Sequence, residues 1–119
     1  MEFTVERLGN GIKKINLKGK MDIEGTDQIA VRMTAETSME KANVVVDLSE
    51  LEFMASVGIG MLVQSYKALK LRGGNMVVLN PHEIVEFTLT STRVNTFFPI
   101  YHDLKKACEH LLQATLKHR

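Results

Sequence analysis

The sequence predicts a single α/β domain over residues 1–119, built from a mixed β-sheet with packed α-helices. Three observations lead to this prediction. The apolar run from Val44 to Leu48, broken only by Asp47, fits a strand buried on both faces of a largely parallel sheet. Segments with helical spacing alternate with segments of strand character, as in strands joined by crossover helices. At 119 residues, the chain is long enough for one hydrophobic core and too short for two.

The chain begins with a predicted β-hairpin, which we expect to be antiparallel. Phe3 and Val5 alternate with polar neighbours, residues 9–11 form a Gly-Asn-Gly turn, and strand character resumes from Ile12 to Leu17. A helix is expected from Glu24 to about Glu40, because buried-type positions recur on one helical face. These positions are Ile29, Ala30, Met33 and Thr37.

The central strand is expected from Val44 to Leu48, and after a polar bend a second helix is expected to start at about Ser56. The predicted buried face of this helix consists of Ile59, Leu62, Val63, Tyr66 and Leu69. The pair at residues 73–74 is expected to end the helix, because glycine readily takes the left-handed conformation of a C-cap. A parallel strand is then predicted from Met76 to Leu79.

The last third of the chain is predicted to contain two more helices. A short helix is expected from His82 to about Leu89, followed by an extended piece from Phe97 to Tyr101 and a terminal helix. The expected apolar stripe of the terminal helix is Leu104, Ala107, Cys108, Leu111, Leu112 and Thr115. Only the tail, Lys117 to Arg119, is expected to fray.

The composition excludes several classes of function. The 15 basic and 14 acidic side chains leave a net charge of +1, so no strong field favours nucleic acid or an anionic membrane. The apolar runs are too short to span a bilayer, and the first residues lack the basic stretch and apolar core of a secretory signal. We therefore expect a cytoplasmic protein with no direct nucleic-acid contact and no membrane insertion.

Motifs of catalysis or metal binding are missing from the sequence. The Gly58 to Gly60 segment lacks the remainder of a dinucleotide fingerprint or a P-loop, and Ser56 is not in a G-x-S-x-G elbow. The four histidines are at least eight residues apart, too far for simple chelation. The single cysteine, Cys108, excludes an intrachain disulfide and is expected to be a buried core residue. We predict no catalytic residue, no cofactor and no metal.

Ser56 has two interpretations. The first is that its hydroxyl caps the helix that follows and does nothing more. The second is that it is phosphorylated, because the free N–H groups and the positive end of a helix would stabilise a phosphate there, while a docked partner would be repelled. The physical chemistry of the sequence permits a switch at this position without requiring one.

The residues around Ser56 indicate a close approach. Gly58 and Gly60 would each cost a helix interior about 1 kcal/mol relative to alanine, so we expect another backbone or a partner to approach the first turn. Met54 is expected to be exposed beside Ser56, where it would anchor a partner.

The run DLSELEFMASVGIGMLVQSYKALKLRGGNMVVLN resembles the core of a STAS domain, the fold of bacterial anti-sigma factor antagonists. The usual pattern is DLS, then FMDSSG or FMDSTG, followed by LG. LKGKMDIEG also resembles the family's strand-ending G-E-L-D segment, and FFPIYHDLKKA resembles its closing segment, so that nearly the whole chain is covered. The resemblance implies that Ser56 is phosphorylated by a serine kinase that doubles as an anti-sigma factor, and that a serine phosphatase reverses the modification.

The chain departs from the family pattern at two positions. Ala55 replaces the usual Asp, and Val57 replaces the usual Ser or Thr. Losing the Asp reduces repulsion of a phosphate but also removes a group that orients a kinase. Asp22 matches the Asp of G-E-L-D and is carried over as a partner contact, although a solvated Asp at a strand end is the alternative. The predicted partner-binding residues are Asp22, Met54, Ser56, Val57, Gly58 and Gly60.

Two other functions remain open at this point. One is a constitutive STAS binding subunit of a transporter or signalling assembly, such as the one that accompanies a lipid-transport ATPase, and the two departures favour it. The other is a small enzyme that uses Ser56, for which the sequence indicates no general base.

Overall fold

A computed structural model of the chain describes residues 1–117, with side chains described for residues 1–114. His118 and Arg119, on which the expectation of a frayed tail largely rests, lie outside the described residues. The elements in chain order are β1 (Glu2–Gly9), β2 (Ile12–Met21), α1 (Ile23–Ser38), β3 (Asn43–Met54), α2 (Ser56–Leu71), β4 (Met76–Leu79), α3 (Glu83–Ser91), a 3₁₀ turn (Val94–Thr96), β5 (Ile100–Tyr101) and α4 (Leu104–Lys117).

The five strands form one mixed sheet in the order β1-β2-β3-β4-β5. β1 pairs with β2 in the antiparallel sense, and the pairs from β2 to β5 are all parallel. The hairpin turn places Gly9, Asn10 and Gly11 at φ values of 90°, 55° and 74°. Glycine and asparagine tolerate this left-handed conformation better than other residues, which is why this tripeptide makes the turn. The predicted mixed sheet and antiparallel hairpin are confirmed.

Helices cover the two faces of the sheet unequally. α1, α2 and α3 pack on one face over the larger core, to which Met33, Leu62 and Leu89 contribute fully buried side chains. α4 packs on the other face over a smaller cluster. That cluster consists of Ile12, Val45, Val77, Leu79, Ala107 and Leu111.

The predicted stripe of the terminal helix is confirmed at its centre and corrected at its edges. Leu111 is fully buried, but Leu104 is 38% exposed because it opens the helix. Cys108 is half-buried, not fully buried, since it lies at the margin of the cluster. Partial burial raises the pKa of its thiol, which favours the inert form. The side chain of Thr115 lies outside the described residues.

β3 is longer than the sequence suggests. The strand predicted from Val44 to Leu48 is present, but the expected polar bend after it is wrong, because the strand continues to Met54. The register against β2 shifts twice in this stretch, each time by one extra residue of β3. These bulges change the usual alternation of buried residues to a spacing of three, at Leu48, Leu51 and Met54.

Other boundaries differ by smaller amounts. α1 begins at Ile23 and ends at Ser38, α3 ends at Ser91, and His82 is the N-cap of α3 rather than its first residue. The extended piece predicted from Phe97 to Tyr101 is shorter in the structure, because β5 contains only residues 100–101. The 3₁₀ turn at residues 94–96 precedes this piece and was not predicted.

An ion-pair cluster occupies the sheet face beyond α4. Lys14 Nζ lies 3.2 Å from Glu6 Oε2 on β1 and 3.2 Å from Asp47 Oδ2 on β3. Burial opposes ionisation of Asp47, but hydrogen bonds from Ser49 and Lys14 outweigh this effect and lower the pKa of the Asp47 carboxyl. The cluster therefore ties three strands together while its carboxylates are ionised.

Candidate partner-binding site

Ser56 and Asp22 follow two neighbouring strands at the same edge of the sheet. β2 ends at Met21 and β3 ends at Met54, and these two residues are paired in the parallel ladder. The N–H of Ala55 then donates to Met21 O at 2.9 Å. Because the two strands end together, α1 and α2 begin side by side, and the residues of their first turns share this edge.

Ser56 is the first residue of α2 and is exposed. The prediction that Ser56 is the N-cap is wrong by one residue. Ala55 occupies that position with φ −88° and ψ 173°, and its side chain makes no capping hydrogen bond. The reason is that the Ala55 carbonyl already accepts the first helical hydrogen bonds, from the N–H groups of Gly58 and Ile59, so the helix begins one residue earlier than a Ser56 cap would give. Within residues 1–117, no hydrogen bond holds the Ser56 hydroxyl.

The first turn of α2 leaves N–H groups available next to Ser56. The first helical hydrogen bonds run from the N–H groups of Gly58 and Ile59 to Ala55 O, at 2.9 and 3.2 Å. The N–H groups of Ser56 and Val57 precede these bonds and have no acceptor in the described part of the chain. The turn also contains no acidic residue. An anion attached to Ser56 would therefore meet free donors and the positive end of the helix dipole.

Asp22 has a structural role at the start of α1. Its Oδ1 accepts a hydrogen bond from the Gly25 N–H at 2.8 Å, so Asp22 is the N-cap of the helix. Asp22 is also exposed at the edge that carries Ser56. The carboxylate is thus fixed in place by the fold and still faces solvent, rather than being a freely solvated side chain at a strand end.

Two predicted partner-binding residues, Met54 and Gly58, are buried instead. Met54 is only 3% exposed, so the expectation that it anchors a partner is wrong. A Cβ on Gly58 would lie 3.1 Å from Met21 Cβ and 3.2 Å from Met54 Cγ. The close approach expected at Gly58 therefore exists, but it is the approach of α2 to the sheet and not of a partner.

Val57 and Gly60 are exposed as a partner contact requires. Val57 is 44% exposed, and a Cβ on Gly60 would have no heavy atom within 4 Å. Gly60 lies four residues after Ser56, so the two share one face of the helix. The surface available to a partner at the start of α2 therefore consists of Ser56, Val57 and Gly60.

Two apolar residues that the sequence pattern does not mark as site residues lie at the same edge. Phe53 is 44% exposed at the end of β3, and Ile23 is 76% exposed as the first residue of α1. Phe53 is paired with Lys20 of β2, one step before the Met21–Met54 pair. The bulges hid Phe53, because its exposure follows from a register that the sequence does not display.

Three acidic side chains lie close together at the start of α1. Asp22, Glu24 and Glu52 line one shallow depression beside the β2–α1 junction. Two positive groups lie in the same depression, the Lys20 side chain and the N-terminal ammonium of Met1, which donates a hydrogen bond to Gln28 Oε1 at 2.8 Å.

Other chemistry is sparse in the described residues. Residues 1–117 contain no group of three or more His, Cys, Asp or Glu side chains arranged to hold a metal ion. None of the helices described is both long and apolar enough to cross a bilayer. Two histidines have protein partners, since His110 Nδ1 lies 2.9 Å from Tyr101 Oη and His102 Nε2 lies 3.1 Å from Glu86 Oε1.

Comparison with known proteins agrees with this architecture. An anti-sigma F factor antagonist of Paenibacillus polymyxa is 27% identical over 92 residues, which cover 76% of this chain and 79% of that protein. The crystal structure of an anti-sigma factor antagonist from Mycobacterium paratuberculosis superposes with a TM-score of 0.82 at 23% identity, covering 92% of each chain. The Bacillus cell fate determinant SpoIIAA, solved in its phosphorylated form, gives a TM-score of 0.68 at 19% identity, covering 91% of this chain and 98% of that one. The sequence profile of the STAS domain matches residues 6–107, and this chain therefore belongs to the STAS domain family.

Proposed function

We propose that this protein is an anti-sigma factor antagonist that acts as an interaction switch controlled by phosphorylation of Ser56. The unphosphorylated protein binds a serine kinase that is also an anti-sigma factor, and thereby displaces its sigma factor. Phosphorylation of Ser56 by that kinase releases the complex, and a serine phosphatase restores binding. In this scheme the protein works in the cytoplasm, contacts no nucleic acid, and has no catalytic residue or cofactor of its own.

The observation that carries this proposal is the setting of Ser56. Ser56 is exposed at the first position of α2, and in the described residues its own N–H and that of Val57 have no acceptor. A kinase can reach such a hydroxyl. When the domain is free of its partner, the unpaired N–H groups of the first turn can stabilise the phosphate on Ser56. Two relatives support the assignment: the Paenibacillus polymyxa protein carries the name anti-sigma F factor antagonist, and SpoIIAA of the same fold has been solved with its phosphate.

The electrostatics favour release upon phosphorylation. A phosphate adds about −1.5 to −2 charge, which the N–H groups of Ser56 and Val57 stabilise when the edge faces water. In a complex the same charge would be buried against a surface that fitted a neutral hydroxyl. A thousandfold loss of affinity corresponds to about 4 kcal/mol, which one charge placed in a desolvated interface supplies.

The two departures from the family pattern, Ala55 and Val57, affect the charge next to Ser56 in both the phosphorylated and the unmodified protein. Ala55 places no carboxylate beside the phosphate, so repulsion within the phosphorylated domain is small. Ala55 and Val57 also leave the residues on either side of the Ser56 hydroxyl uncharged. An uncharged contact of this kind also suits a permanent complex. For this reason the constitutive STAS subunit is the second candidate function.

The decisive experiment measures phosphorylation and binding separately. The purified protein is incubated with ATP, Mg²⁺ and, one at a time, the anti-sigma-type serine kinases of the genome that encodes it, and its intact mass is recorded. We expect the addition of one phosphate to the wild type and none to Ser56→Ala. Calorimetry with the same kinase then compares the unmodified protein, the phosphorylated protein and Ser56→Ala.

We expect unmodified protein and Ser56→Ala to bind alike, and phosphorylated protein to bind about a thousandfold more weakly. Ser56→Asp should weaken binding by less, because aspartate carries one charge and reaches less far. Equal affinities for the unmodified and phosphorylated forms would refute the switch and favour the constitutive subunit.

A further inference from the structure

α3 exposes two large apolar side chains to solvent within one helical turn. Ile84 is 69% exposed and Phe87 is 66% exposed, and they lie three residues apart, which makes them neighbours on the helix surface. In the other described helices, large exposed apolar residues are single or at least eight residues apart. They are Ile23 and Val31 in α1, Val57 and Leu71 in α2, and Leu104 in α4. Among these helices, α3 therefore has the most compact exposed apolar surface.

The two apolar residues lie on the side of α3 that faces away from the core. Val85 and Leu89 are fully buried in the larger core and define the inner side of the helix. With 3.6 residues per turn, the opposite side carries Glu83, Ile84, Phe87, Thr90 and Ser91, and all five are exposed. A shallow depression of about 450 Å³ lies on this outer side and is lined by Glu83, Glu86, Phe87 and Thr90. We call the five exposed residues the outer face of α3.

Opposite charges lie at the two ends of the outer face. Glu83 is the first residue of α3, and Arg93 follows the C-cap of the helix. In the part of the chain that the structure describes, neither of these side chains makes a hydrogen bond or an ion pair. The neighbouring Glu86, by contrast, is paired with His102. One negative and one positive side chain are thus available at opposite ends of the same helix.

Arg93 has a backbone conformation that arginine does not favour. Its φ is 61° and its ψ is 17°, in the left-handed region, where glycine is the usual residue after a helix. In residues 1–117, the other residues with positive φ that are not glycine are both asparagines, Asn10 and Asn80. A cation could interact with the dipole of α3 from within the last turn, at an ordinary φ. The position therefore favours a role for the Arg93 side chain outside the domain.

We propose that a second copy of this chain docks on the outer face of α3, with the two α3 helices antiparallel about a two-fold axis near Phe87. Phe87 is the middle residue of this nine-residue helix, so the two Phe87 side chains meet at the axis. Ile84 of one copy then lies opposite Thr90 of the other. The same arrangement puts Glu83 of each copy beside Arg93 of the other copy.

Charge complementarity is the reason for choosing a second copy as the occupant. An apolar face with one acidic end and one basic end needs an occupant with the charges reversed along it, and its own antiparallel copy has them reversed. A nine-residue helix is only about 13.5 Å long, so the contact is smaller than a standard protein interface. We therefore expect a weak dimer, with a dissociation constant on the order of 100 μM. Association needs neither a kinase nor a phosphate, so its failure would leave the proposed function unaffected.

The first test measures self-association of the purified protein. Sedimentation velocity from about 10 μM to about 1 mM covers the expected dissociation constant, and the mean mass should rise towards that of a dimer. Phe87→Ser should abolish this rise. Val31→Ser on α1 is the matched control, because Val31 is 82% exposed and lies on another helix, and it should associate like the wild type. Circular dichroism melting of each variant verifies that the fold is retained.

The second test reverses the charges at the two ends. Glu83→Arg and Arg93→Glu each place like charges against one another, so each should weaken self-association about 10-fold or more. An equimolar mixture of these two variants should associate like the wild type, because every contact at the interface then joins opposite charges. The double variant should do the same. Glu109→Arg on α4 serves as the charge control and should change nothing.

The outcomes decide the proposal. A wild type that stays monomeric at about 1 mM would overturn it and leave the outer face to a different protein. A dimer that Phe87→Ser does not weaken would place the interface elsewhere, which also overturns the proposal. If Phe87→Ser is monomeric but the mixed charge variants do not associate, the antiparallel pairing of Glu83 with Arg93 is wrong.

Discussion

Gly58 and Gly60 occupy the same helix turn, yet only the replacement of Gly60 by alanine should stabilise the protein. Each Gly→Ala change in a helix gains about 1 kcal/mol from backbone propensity. At Gly60 the new methyl group would have no heavy atom within 4 Å, so the full gain should remain. At Gly58 the methyl group would lie 3.1 to 3.2 Å from Met21 and Met54, which are both buried.

The cost of forcing a methyl group into such a site is about 1 to 3 kcal/mol. Gly58→Ala should therefore range from neutral to about 2 kcal/mol less stable than the wild type, and Gly60→Ala should be about 0.5 to 1 kcal/mol more stable. Urea denaturation monitored by circular dichroism measures both free energies of unfolding. If Gly58→Ala is as stabilising as Gly60→Ala, the core side chains yield freely and Gly58 does not set the distance between α2 and the sheet.

Two further predictions concern the sheet face that α4 partly covers. Leu111→Ala should lower the free energy of unfolding by about 2 to 5 kcal/mol because Leu111 is fully buried, and an unchanged melting curve would show that α4 is not docked. The lowered pKa of Asp47 means that its ionised form stabilises the fold, so that this contribution is complete at neutral pH and is lost as the pH falls below about 4. Asp47→Asn should flatten the decline of stability in acid measured by urea denaturation at a series of pH values, and parallel curves for variant and wild type would contradict the role given to the Lys14 ion pair.

The order of elements could be predicted from the sequence because most segments have a clear period. The run from Val44 to Leu48 and the helical spacing after Ser56 located the junction between β3 and α2. The length of β3 could not be predicted in the same way. Its two bulges replace the period of two with a spacing of three, so the residues between Leu48 and Met54 resemble a polar bend.

The sequence predicted where the candidate site lies, but not which of the residues around Ser56 are exposed. Ser56 was located correctly at a surface helix start, since the apolar spacing that follows it is regular. Met54 was misassigned to the surface and Phe53 was missed, because their exposure depends on the strand register. Gly58 was assigned to a partner contact, but it faces Met21 and Met54, where α2 packs on the sheet. A bulge of one residue moves the following side chains from one face of the sheet to the other, and the hydropathy pattern of the sequence does not reveal it.

Because helices cover the two sheet faces unequally, local opening of α4 and unfolding of the sheet should require different free energies. α4 is the helix that covers Val45 and Val77, and its cluster is the smaller of the two. Local opening of α4 should need less free energy than unfolding of the sheet, so its amide hydrogens should exchange with solvent before those of β3. None of the segments that build the Ser56 edge belongs to α4. Fluctuations of this helix therefore leave the Ser56 edge in place, and sequence changes in α4 can alter the stability of the fold without changing the residues of that edge.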